Sequence, residues 1–288
     1  MVDLHVHSTF SDGSDTPEQL VALAVSGGLR AMALTDHDNL HGVPSFFAAC
    51  REKKMTGISG VEISAEVPAG TLHILGYGVN PNHAEFLEQL DRVLDGRAWR
   101  NEKILARLNE LGCTLTWDEV AALAGSEVVG RPHFAQAMVA RGYVASVHEA
   151  FDRFLTKGGP AYVDRYRLSP ADGIRLIRAA GGVAVMAHPY TWQADDTLLE
   201  SALRELQKLG LGGMEAYYPD YMPERTVTYL RLARKLGLVA TGGTDYHGAA
   251  KPDLRLGCAR GNFATPDEVL APLLAAMPSH DWVIGVSN

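Results

Sequence analysis

The feature that most constrains the fold is a repeated alternation of strand-like and helix-like segments. "VDLHVH" (2–7) alternates apolar and polar residues, the period of a strand, and "TPEQLVALAVSGGL" (16–29) reads as a helix capped by Thr16 with Pro17 in its first turn. "AMALTDHD" (31–38) and "HGVPSFFAACREK" (41–53) repeat the pair. Strands joined through helices run parallel and gather their carboxyl ends at one edge. The pattern therefore predicts an α/β fold with its polar strand ends on one face.

The alternation stops between residues 81 and 159 and then resumes. In this stretch the helical spacing continues without a strand, through "AEFLEQLDRVL", "NEKILARLNEL", "TWDEVAALA", "PHFAQAMVARG" and "VHEAFDRFLTK". Strand and helix patterns return from "SPADGIRLIRAAGG" (169–182) to "LVATGGTDYH" (238–247). We expect residues 1–80 and 160–288 to form the α/β fold and residues 81–159 to form a helical insertion.

Composition excludes several classes of protein. A chain of 288 residues with 47% hydrophobic and 21% charged residues is typical of a globular protein with a sizeable core. A net charge of −8 opposes binding along duplex nucleic acid, although a mononucleotide or short oligonucleotide remains compatible. Three cysteines without a C-x-x-C spacing suggest neither a disulfide scaffold nor a thiolate zinc site. With no signal-like or membrane-spanning apolar run, we expect a cytoplasmic protein without a membrane partner.

Histidines and carboxylates recur at the predicted strand ends. The period of a strand places His5 and His7 on one face, where the pair alone fits ordinary strand residues and metal ligands equally well. Six strand ends together supply His5, His7, Asp12, His37, Glu62, His73, His188, Asp245 and His247. Imidazoles and carboxylates without thiolates suit Mn²⁺, Fe²⁺ or Zn²⁺, and more than four ligands imply more than one ion. Such a site indicates hydrolysis of a phosphate or amide bond.

The motifs "DLHVHSTFSDG", "ALTDHD", "GVEIS", "HILGY", "MAHP" and "GTDYHG" resemble, in order, those of the polymerase and histidinol phosphatase (PHP) family. The resemblance is closest to the bacterial branch that includes 3′,5′-nucleoside bisphosphate phosphatases. It implies a distorted, TIM-like (β/α)₇ barrel, here with an inserted helical cap, that carries two to three divalent ions, for which we favour Mn²⁺. It assigns one ion to His5, His7, Glu62 and Asp245. Glu62 would bridge to a second ion with His73 and His188, and a third would bind Asp12, His37 and His247.

The resemblance also implies a reaction. We expect removal of the 3′-phosphate from nucleoside 3′,5′-bisphosphates, such as pAp, by a metal-bridging hydroxide. The residues that would hold the bridging water are His5, His7, Glu62, His188 and Asp245. A 5′-3′ exoribonuclease acting on short 5′-phosphorylated RNA is the alternative. Histidinol phosphate phosphatase is a third possibility, which the basic residues of the insertion disfavour because that substrate is cationic.

Four residues are candidates for binding substrate, each with an alternative. Ser8 either donates a hydrogen bond to phosphate or satisfies the backbone at its strand end. Arg131, His133 and Lys157 lie beside a helix start or a glycine turn, where basic side chains can hold phosphate or remain solvated. The resemblance favours the first role, because the insertion in this branch binds the phosphate that does not react. Several tyrosines near strand ends either stack on a base or pack: Tyr162, Tyr166, Tyr190, Tyr217 and Tyr218.

Overall fold

The structure is a computed structural model that describes residues 1–67, 72–124, 128–192, 195–259 and 263–285. Its strands are β1 (Val2–Asp3), β2 (Ala31–Leu34), β3 (Thr56–Ala65), β4 (Leu72–Tyr77), β5 (Val183–Met186), β6 (Gly213–Tyr217), β7 (Val239–Gly242) and β8 (Val283–Ile284). Its α-helices are α1 (Pro17–Ser26), α2 (Val43–Lys53), α3 (Ala84–Glu110), α4 (Trp117–Ala124), α5 (Arg131–Ala140), α6 (Val147–Ala150), α7 (Pro170–Ala179), α8 (Asp196–Lys208), α9 (Pro223–Leu236) and α10 (Leu270–Ala276). None of the helices in these ranges is long and apolar enough to cross a membrane.

Strands β1 to β7 lie side by side in chain order and form a nearly closed barrel. Neighbouring strands are parallel from β1 to β3 and again from β5 to β7. Past the end of β1, the Leu4 amide donates to the Gly242 carbonyl at 3.2 Å, and Val6 forms a parallel bridge with Tyr246. These contacts join the first strand to the last. The α/β barrel predicted from the sequence is confirmed.

Strand β4 departs from the all-parallel prediction. It runs antiparallel to both β3 and β5, with His73 opposite Ser64 and Ile74 opposite Met186. The cause is the short connection over residues 66–71, because a parallel crossover needs roughly a dozen residues or more. The sequence also gave no sign of β8, which pairs antiparallel with the first half of β3 at Gly57 and Ile58.

Helices α1 and α7 begin where the sequence predicts. Thr16 caps α1 in a capping box, accepting from the Gln19 amide while the Gln19 side chain accepts from the Thr16 amide. Ser169 caps α7 by accepting from the Asp172 amide, and Pro170 follows in the first turn. Both helices bury an apolar face, and α7 packs against β3, β4 and β5.

Residues Asp91–Arg167 form a compact unit separate from residues 1–90 and 168–288. The sequence analysis placed the insertion at 81–159. The two helical segments predicted at its start are a single helix, α3, of 27 residues. This helical unit has its own apolar core, including Ile104, Leu108, Phe134 and Met138. A π-helical turn, Phe151–Leu155, follows α6.

A glycine between β7 and the strand-end loop sets how closely the first and last strands approach. A Cβ on Gly243 would lie 2.4 Å from both the backbone nitrogen and the Cβ of His5. We expect Gly243→Ala to destabilise the protein by about 1–3 kcal/mol, since backbone atoms must move. The measurement is the free energy of unfolding in denaturant.

Gly173→Ala is the matched control, because a Cβ at Gly173 in α7 would meet its nearest neighbour at an ordinary 3.6 Å. Since alanine favours a helix interior, we expect Gly173→Ala to stabilise by about 0.5–1 kcal/mol. An equal effect of the two substitutions would contradict the role given to Gly243.

Candidate metal centre

The barrel delivers the predicted ligands to one edge of the sheet. His5 and His7 follow β1, His37 follows β2, His188 follows β5, and Asp245 follows β7. Glu62 and His73 lie within β3 and β4. The reversal of β4 matters here, because the first residues of an antiparallel strand lie beside the carboxyl ends of its neighbours. A parallel β4 would have placed His73 at the opposite edge.

Glu62 is buried at the centre of this cluster. Its Oε1 lies 2.7 Å from His73 Nδ1 and 2.9 Å from His188 Nε2. Its Oε2 lies 3.3 Å from His5 Nε2, 3.2 Å from His7 Nε2 and 3.0 Å from His37 Nδ1. One carboxylate thus faces five imidazoles, two on one oxygen and three on the other, which suits a bridging ligand.

Asp12 gathers a second part of the cluster. Its Oδ1 lies 3.2 Å from His247 Nε2 and 3.6 Å from His7 Nδ1, and its Oδ2 lies 3.7 Å from His37 Nε2. The rings of His7 and His247 stack with their centroids 4.2 Å apart. Asp12, in the turn after the first strand, therefore meets the residues that the sequence analysis grouped with it, and His7 joins them.

The candidate ligand atoms form three overlapping groups, and within each group all the atoms lie within 4.8 Å of one another. These are His5, His7, Glu62 and Asp245; then His7, Asp12, His37 and His247; then His37, Glu62 and His73. The first is the set expected for one ion. The last contains His37 where His188 was expected, although His188 contacts the same oxygen of Glu62 as His73. His7 and His37 each lie in two groups, a sharing that sequence spacing did not reveal.

The residues present fit divalent ions. Several buried polar atoms of the cluster make no hydrogen bond within the described residues: His5 Nε2, His7 Nε2, Asp12 Oδ1, His37 Nδ1 and Glu62 Oε2. A buried polar atom without a partner costs about 1–3 kcal/mol, so five of them in one place need a common explanation. Nitrogen and oxygen atoms that converge in this way are the donor set of Mn²⁺, Fe²⁺ or Zn²⁺.

The charges of the cluster support one another. Burial acts to raise the pKa of Glu62, but attraction to the surrounding imidazoles, led by His37, holds that pKa well below its ordinary value. The pKa values of Asp12 and Asp245 are lowered in the same way, by imidazoles for Asp12 and by Lys251 first for Asp245. These carboxylates are ionised throughout the neutral pH range, which is the state that metal binding requires.

The imidazoles differ among themselves. Burial lowers the pKa of His37 to about 3, because attraction to carboxylates does not compensate for desolvation and for nearby His7. For His7, burial also acts to lower the pKa, but the close approach of the Asp245 and Glu62 carboxylates outweighs it and raises the pKa to about 9. His37 would thus bind an ion as a neutral imidazole, whereas an ion that bound His7 would displace a proton.

Glu215 is a functional residue that the sequence analysis missed. It is fully buried in β6, where Oε1 lies 3.1 Å from His5 Nδ1 and Oε2 accepts from the His188 amide at 2.8 Å. The first contact fixes which nitrogen of His5 faces the centre. The second holds His188 at a φ of 20°, in a region that favours glycine. The signal available in the sequence was a lone glutamate in the apolar strand "GMEAYY".

Asp36 explains the position of Ser8. The Ser8 amide and hydroxyl both donate to Asp36, each at 2.7 Å, and Ser11 Oγ donates to the same carboxylate at 2.6 Å. Ser11 Oγ in turn lies 3.3 Å from His7 Nδ1. Asp36 therefore acts on His7 through Ser11 rather than directly. Ser8 is fully buried, and these contacts assign it to holding Asp36 rather than to substrate.

Two donors hold Asp245 by one oxygen. Tyr218 donates its hydroxyl to Oδ2 at 2.7 Å, and Lys251 Nζ donates to the same oxygen at 2.6 Å. The other oxygen, Oδ1, lies 3.2 Å from His7 Nε2 and 3.5 Å from His5 Nε2. This arrangement leaves Oδ1 as the atom facing the metal centre. Neither Tyr218 nor Lys251 was predicted in this role.

The remaining predicted substrate residues lie in the helical unit. Arg131 donates to the Leu155 carbonyl at 3.1 Å, and its guanidinium lies over the rings of Phe151 and Tyr162. His133 Nδ1 accepts from the Gly130 amide at 3.0 Å, as the capping group of α5. Lys157 is exposed. Their proposed contact with phosphate stays a prediction.

The hydroxyl of Tyr218 provides a test of the Asp245 contact. We expect Tyr218→Phe to weaken metal binding by about 10-fold or more, since it removes one of the two donors that orient Asp245. The measurement is the dissociation constant for Mn²⁺, followed by calorimetry.

The control for this variant is Tyr221→Phe, which removes a hydroxyl that only approaches the Glu215 carbonyl at 3.5 Å. We expect it to leave the dissociation constant within 2-fold of the unmodified protein, roughly the effect of a weak contact. Equal losses in both variants would refute the orienting role of Tyr218.

Known proteins are similar to this chain in sequence and architecture. A family model described as "PHP domain" matches residues 3–91. The chain is 32% identical over 247 residues to a 3′,5′-nucleoside bisphosphate phosphatase of Chromobacterium violaceum, which covers 85% of this chain and 87% of the relative. It is 31% identical over 245 residues to a 5′-3′ exoribonuclease of Haemophilus influenzae, and this match covers 85% of this chain and 89% of the relative.

A solved structure from Bifidobacterium adolescentis, provisionally named a metal-dependent phosphoesterase, superimposes with a TM-score of 0.81 at 29% identity. The match covers 96% of both chains. The similarity to these proteins extends over most of the chain, beyond the 89 residues of the family model (residues 3–91). The chain belongs to the PHP family of metal-dependent phosphoesterases.

Proposed function

We propose that this phosphoesterase removes the 3′-phosphate from nucleoside 3′,5′-bisphosphates, such as pAp, and releases the 5′-monophosphate and inorganic phosphate. The observation that carries the proposal is the cluster around Glu62 and Asp12, in which eight residues form three overlapping groups that suit two to three ions. His188 joins the cluster through its contact with Glu62. A phosphate monoester dianion resists attack because it repels nucleophiles, and several cations in one site remove that obstacle. The relative of known activity with 32% identity acts on a bisphosphate of this class.

The ions, for which we favour Mn²⁺ over Fe²⁺ or Zn²⁺, would neutralise phosphoryl oxygens and lower the pKa of water to supply hydroxide. His5, His7, Glu62, His188 and Asp245 would hold them around that water. The other residues fix these ligands in place. Glu215 contacts His5, and Asp36 reaches His7 through Ser11. Lys251 and Tyr218 both donate hydrogen bonds to Asp245. Water supplies the oxygen for the released phosphate, and its protons pass to the 3′-oxygen of the sugar and to solvent.

The helical unit supports a substrate with a second phosphate. Arg100 is 4% exposed, and it hydrogen-bonds the neutral amide of Asn101 at 2.7 Å. Burial, together with the neighbouring arginines Arg97, Arg165 and Arg131, lowers the pKa of Arg100 to about 8. Concentrated guanidinium groups suit a phosphate, which they can bind through two parallel hydrogen bonds. We infer that Arg131, with His133 and Lys157, contributes to binding the 5′-phosphate.

The runner-up is a 5′-3′ exoribonuclease acting on short 5′-phosphorylated RNA. It is favoured by the 31% identical relative with that activity. Both reactions cut a bond between a 3′-oxygen and phosphorus while holding a 5′-phosphate, so the metal centre serves either. Histidinol phosphatase activity is disfavoured, because a cationic substrate would meet the arginines of the helical unit.

The deciding experiment compares phosphate or nucleotide release by the Mn²⁺-loaded protein from pAp, 3′-AMP, histidinol phosphate and 5′-phosphorylated oligoribonucleotides. We expect the highest kcat/KM for pAp. Preference for 3′-AMP would exclude a role for the second phosphate, and preference for RNA would establish the runner-up. Turnover of histidinol phosphate alone would overturn the nucleotide proposal.

Replacing Glu62, the central candidate ligand, tests whether the activity depends on this metal centre. We expect Glu62→Gln to lower kcat for pAp by at least 1,000-fold, roughly the loss that follows removal of a group essential to electrostatic catalysis. The same variant should bind fewer Mn²⁺ ions per chain, measured by elemental analysis after gel filtration. Full activity in Glu62→Gln would contradict the assignment of this site.

The second-phosphate contact predicts an effect on KM. We expect Arg131→Ala and Lys157→Ala each to raise KM for pAp by roughly 10-fold, the value of a charge-assisted hydrogen bond. Their effect on 3′-AMP, which lacks the 5′-phosphate, should be small. Arg153→Ala is the control, since Arg153 is an exposed arginine of the same unit that pairs with Glu149. Unchanged KM values for pAp would refute the 5′-phosphate role and leave the metal chemistry intact.

A further inference from the structure

Four tyrosines form a contiguous cluster on the barrel unit beside the metal centre. This tyrosine cluster consists of Tyr190, Tyr218, Tyr221 and Tyr229. The ring centroids of successive members lie 5.0–5.5 Å apart, the range of attractive aromatic pairs. Tyr218 connects the cluster to the centre, because its ring lies 5.5 Å from that of His188 and its hydroxyl reaches Asp245.

Tyr190 is the accessible member of the cluster. Its side chain is 42% exposed, whereas Tyr218 and Tyr229 are buried. Its ring is held at its sides by Tyr218 and Tyr221, at 5.5 and 5.7 Å, and its hydroxyl donates to Asp220 at 3.3 Å. The ring is therefore fixed in place while part of its surface stays open to solvent.

The distance from Tyr190 to the metal centre suits one kind of ligand. The centroid of the Tyr190 ring lies 6.4 Å from that of His188, which contacts Glu62. In a nucleotide, a single sugar ring separates the base from the 3′-phosphate, a span of comparable size. A phosphoryl group at the metal centre would thus leave its base within reach of the open surface of Tyr190.

We infer that Tyr190 is a stacking platform for the nucleobase of the substrate, and that it makes this phosphoesterase selective for nucleotides over phosphorylated compounds without a base. The inference rests on the proposed function and names a specificity residue for it. A held aromatic ring loses little conformational freedom on binding, so stacking adds directly to affinity. Tyr190 makes no contact with the reacting atoms, so its effect falls on KM rather than kcat.

A packing role for Tyr190 predicts something different. If the ring only supported Tyr218 and Tyr221, its loss would disturb Asp245 through the Tyr218 hydroxyl. Such a disturbance would lower kcat for every substrate alike. A stacking role changes KM only for substrates that carry a base, so matched substrates separate the two roles.

The test measures KM and kcat for pAp and for its abasic analogue, 1-deoxyribose 3,5-bisphosphate, with the Mn²⁺-loaded protein. We expect Tyr190→Ala to raise KM for pAp by roughly 5- to 100-fold, the range of stacking contributions per base. KM for the abasic analogue should change less than 2-fold, roughly the limit for a residue that makes no contact. Tyr190→Phe should restore the KM for pAp, because stacking needs the ring and not the hydroxyl.

Leu209→Ala is the matched control. Leu209 is 45% exposed at the end of α8, on the side of the barrel where β6 begins, whereas the centre lies where the strands end. It should leave both KM values unchanged. Equal effects of Tyr190→Ala on the two bisphosphates, or no effect on either, would overturn the platform.

The dissociation constants of AMP and ribose 5-phosphate, measured by calorimetry, distinguish a failure of the stacking platform from a failure of the proposed function. If the protein hydrolyses neither bisphosphate, the proposed function fails, while a loss of AMP affinity specific to Tyr190→Ala still supports stacking. If that variant binds AMP as the unmodified protein does, the platform is wrong. A comparison of a 5′-phosphorylated dinucleotide with pAp shows whether the stacked base belongs to RNA or to a mononucleotide. The base that stacks belongs to the substrate whose affinity falls more in Tyr190→Ala.

Discussion

The buried carboxylate of Glu62 is the group on which the centre depends. An ionised carboxylate without water is costly to bury, and here five imidazoles from four other strand ends compensate it. Each imidazole must reach one of the two oxygens of this carboxylate, which constrains how far those four strand ends extend at the edge of the barrel. Cations bound between these groups would stabilise the folded state as well as enable the reaction, because the converging ligands exist only in the folded chain.

Two local features meet this constraint. The reversed direction of β4 brings His73 to the shared edge, and the close approach allowed by Gly243 lets His5 reach Glu62. The backbone is strained at His188 and Asp245, with φ of 20° and 52°, at two more residues of the cluster around Glu62. Such conformations cost of order 1–3 kcal/mol and persist where other contacts over-determine them. Hydrogen bonds to Glu215, Tyr218 and Lys251 supply those contacts.

The periods of the sequence were sufficient to predict an α/β fold with polar strand ends on one face, and the resemblance to the PHP family added the barrel. The strand ends named the nine residues that the structure brings together. Strand and helix periods depend on local spacing, and imidazoles at strand ends are conspicuous in otherwise apolar segments. The direction of β4 was not predictable from periodicity, since a strand has the same pattern in either direction. Glu215 was missed because its role depends on a contact between distant segments, since it lies 210 residues from His5. Lys251 lies only six residues after Asp245, but no strand or helix period relates the two positions. The sharing of His7 between two ligand groups is likewise a three-dimensional property.

Catalysis and specificity place opposite demands on the residues of this edge. The central ligand Glu62 and the groups that orient other ligands, such as Glu215 and Asp36, are buried. Groups that discriminate among substrates must keep accessible surface beside the centre. Within the described barrel unit, Tyr190 combines this exposure with a position fixed by neighbouring rings. In the role that we propose for Tyr190, replacing this one residue after β5 would change which substrates bind while the buried ligands, each tied to several others, stay constant.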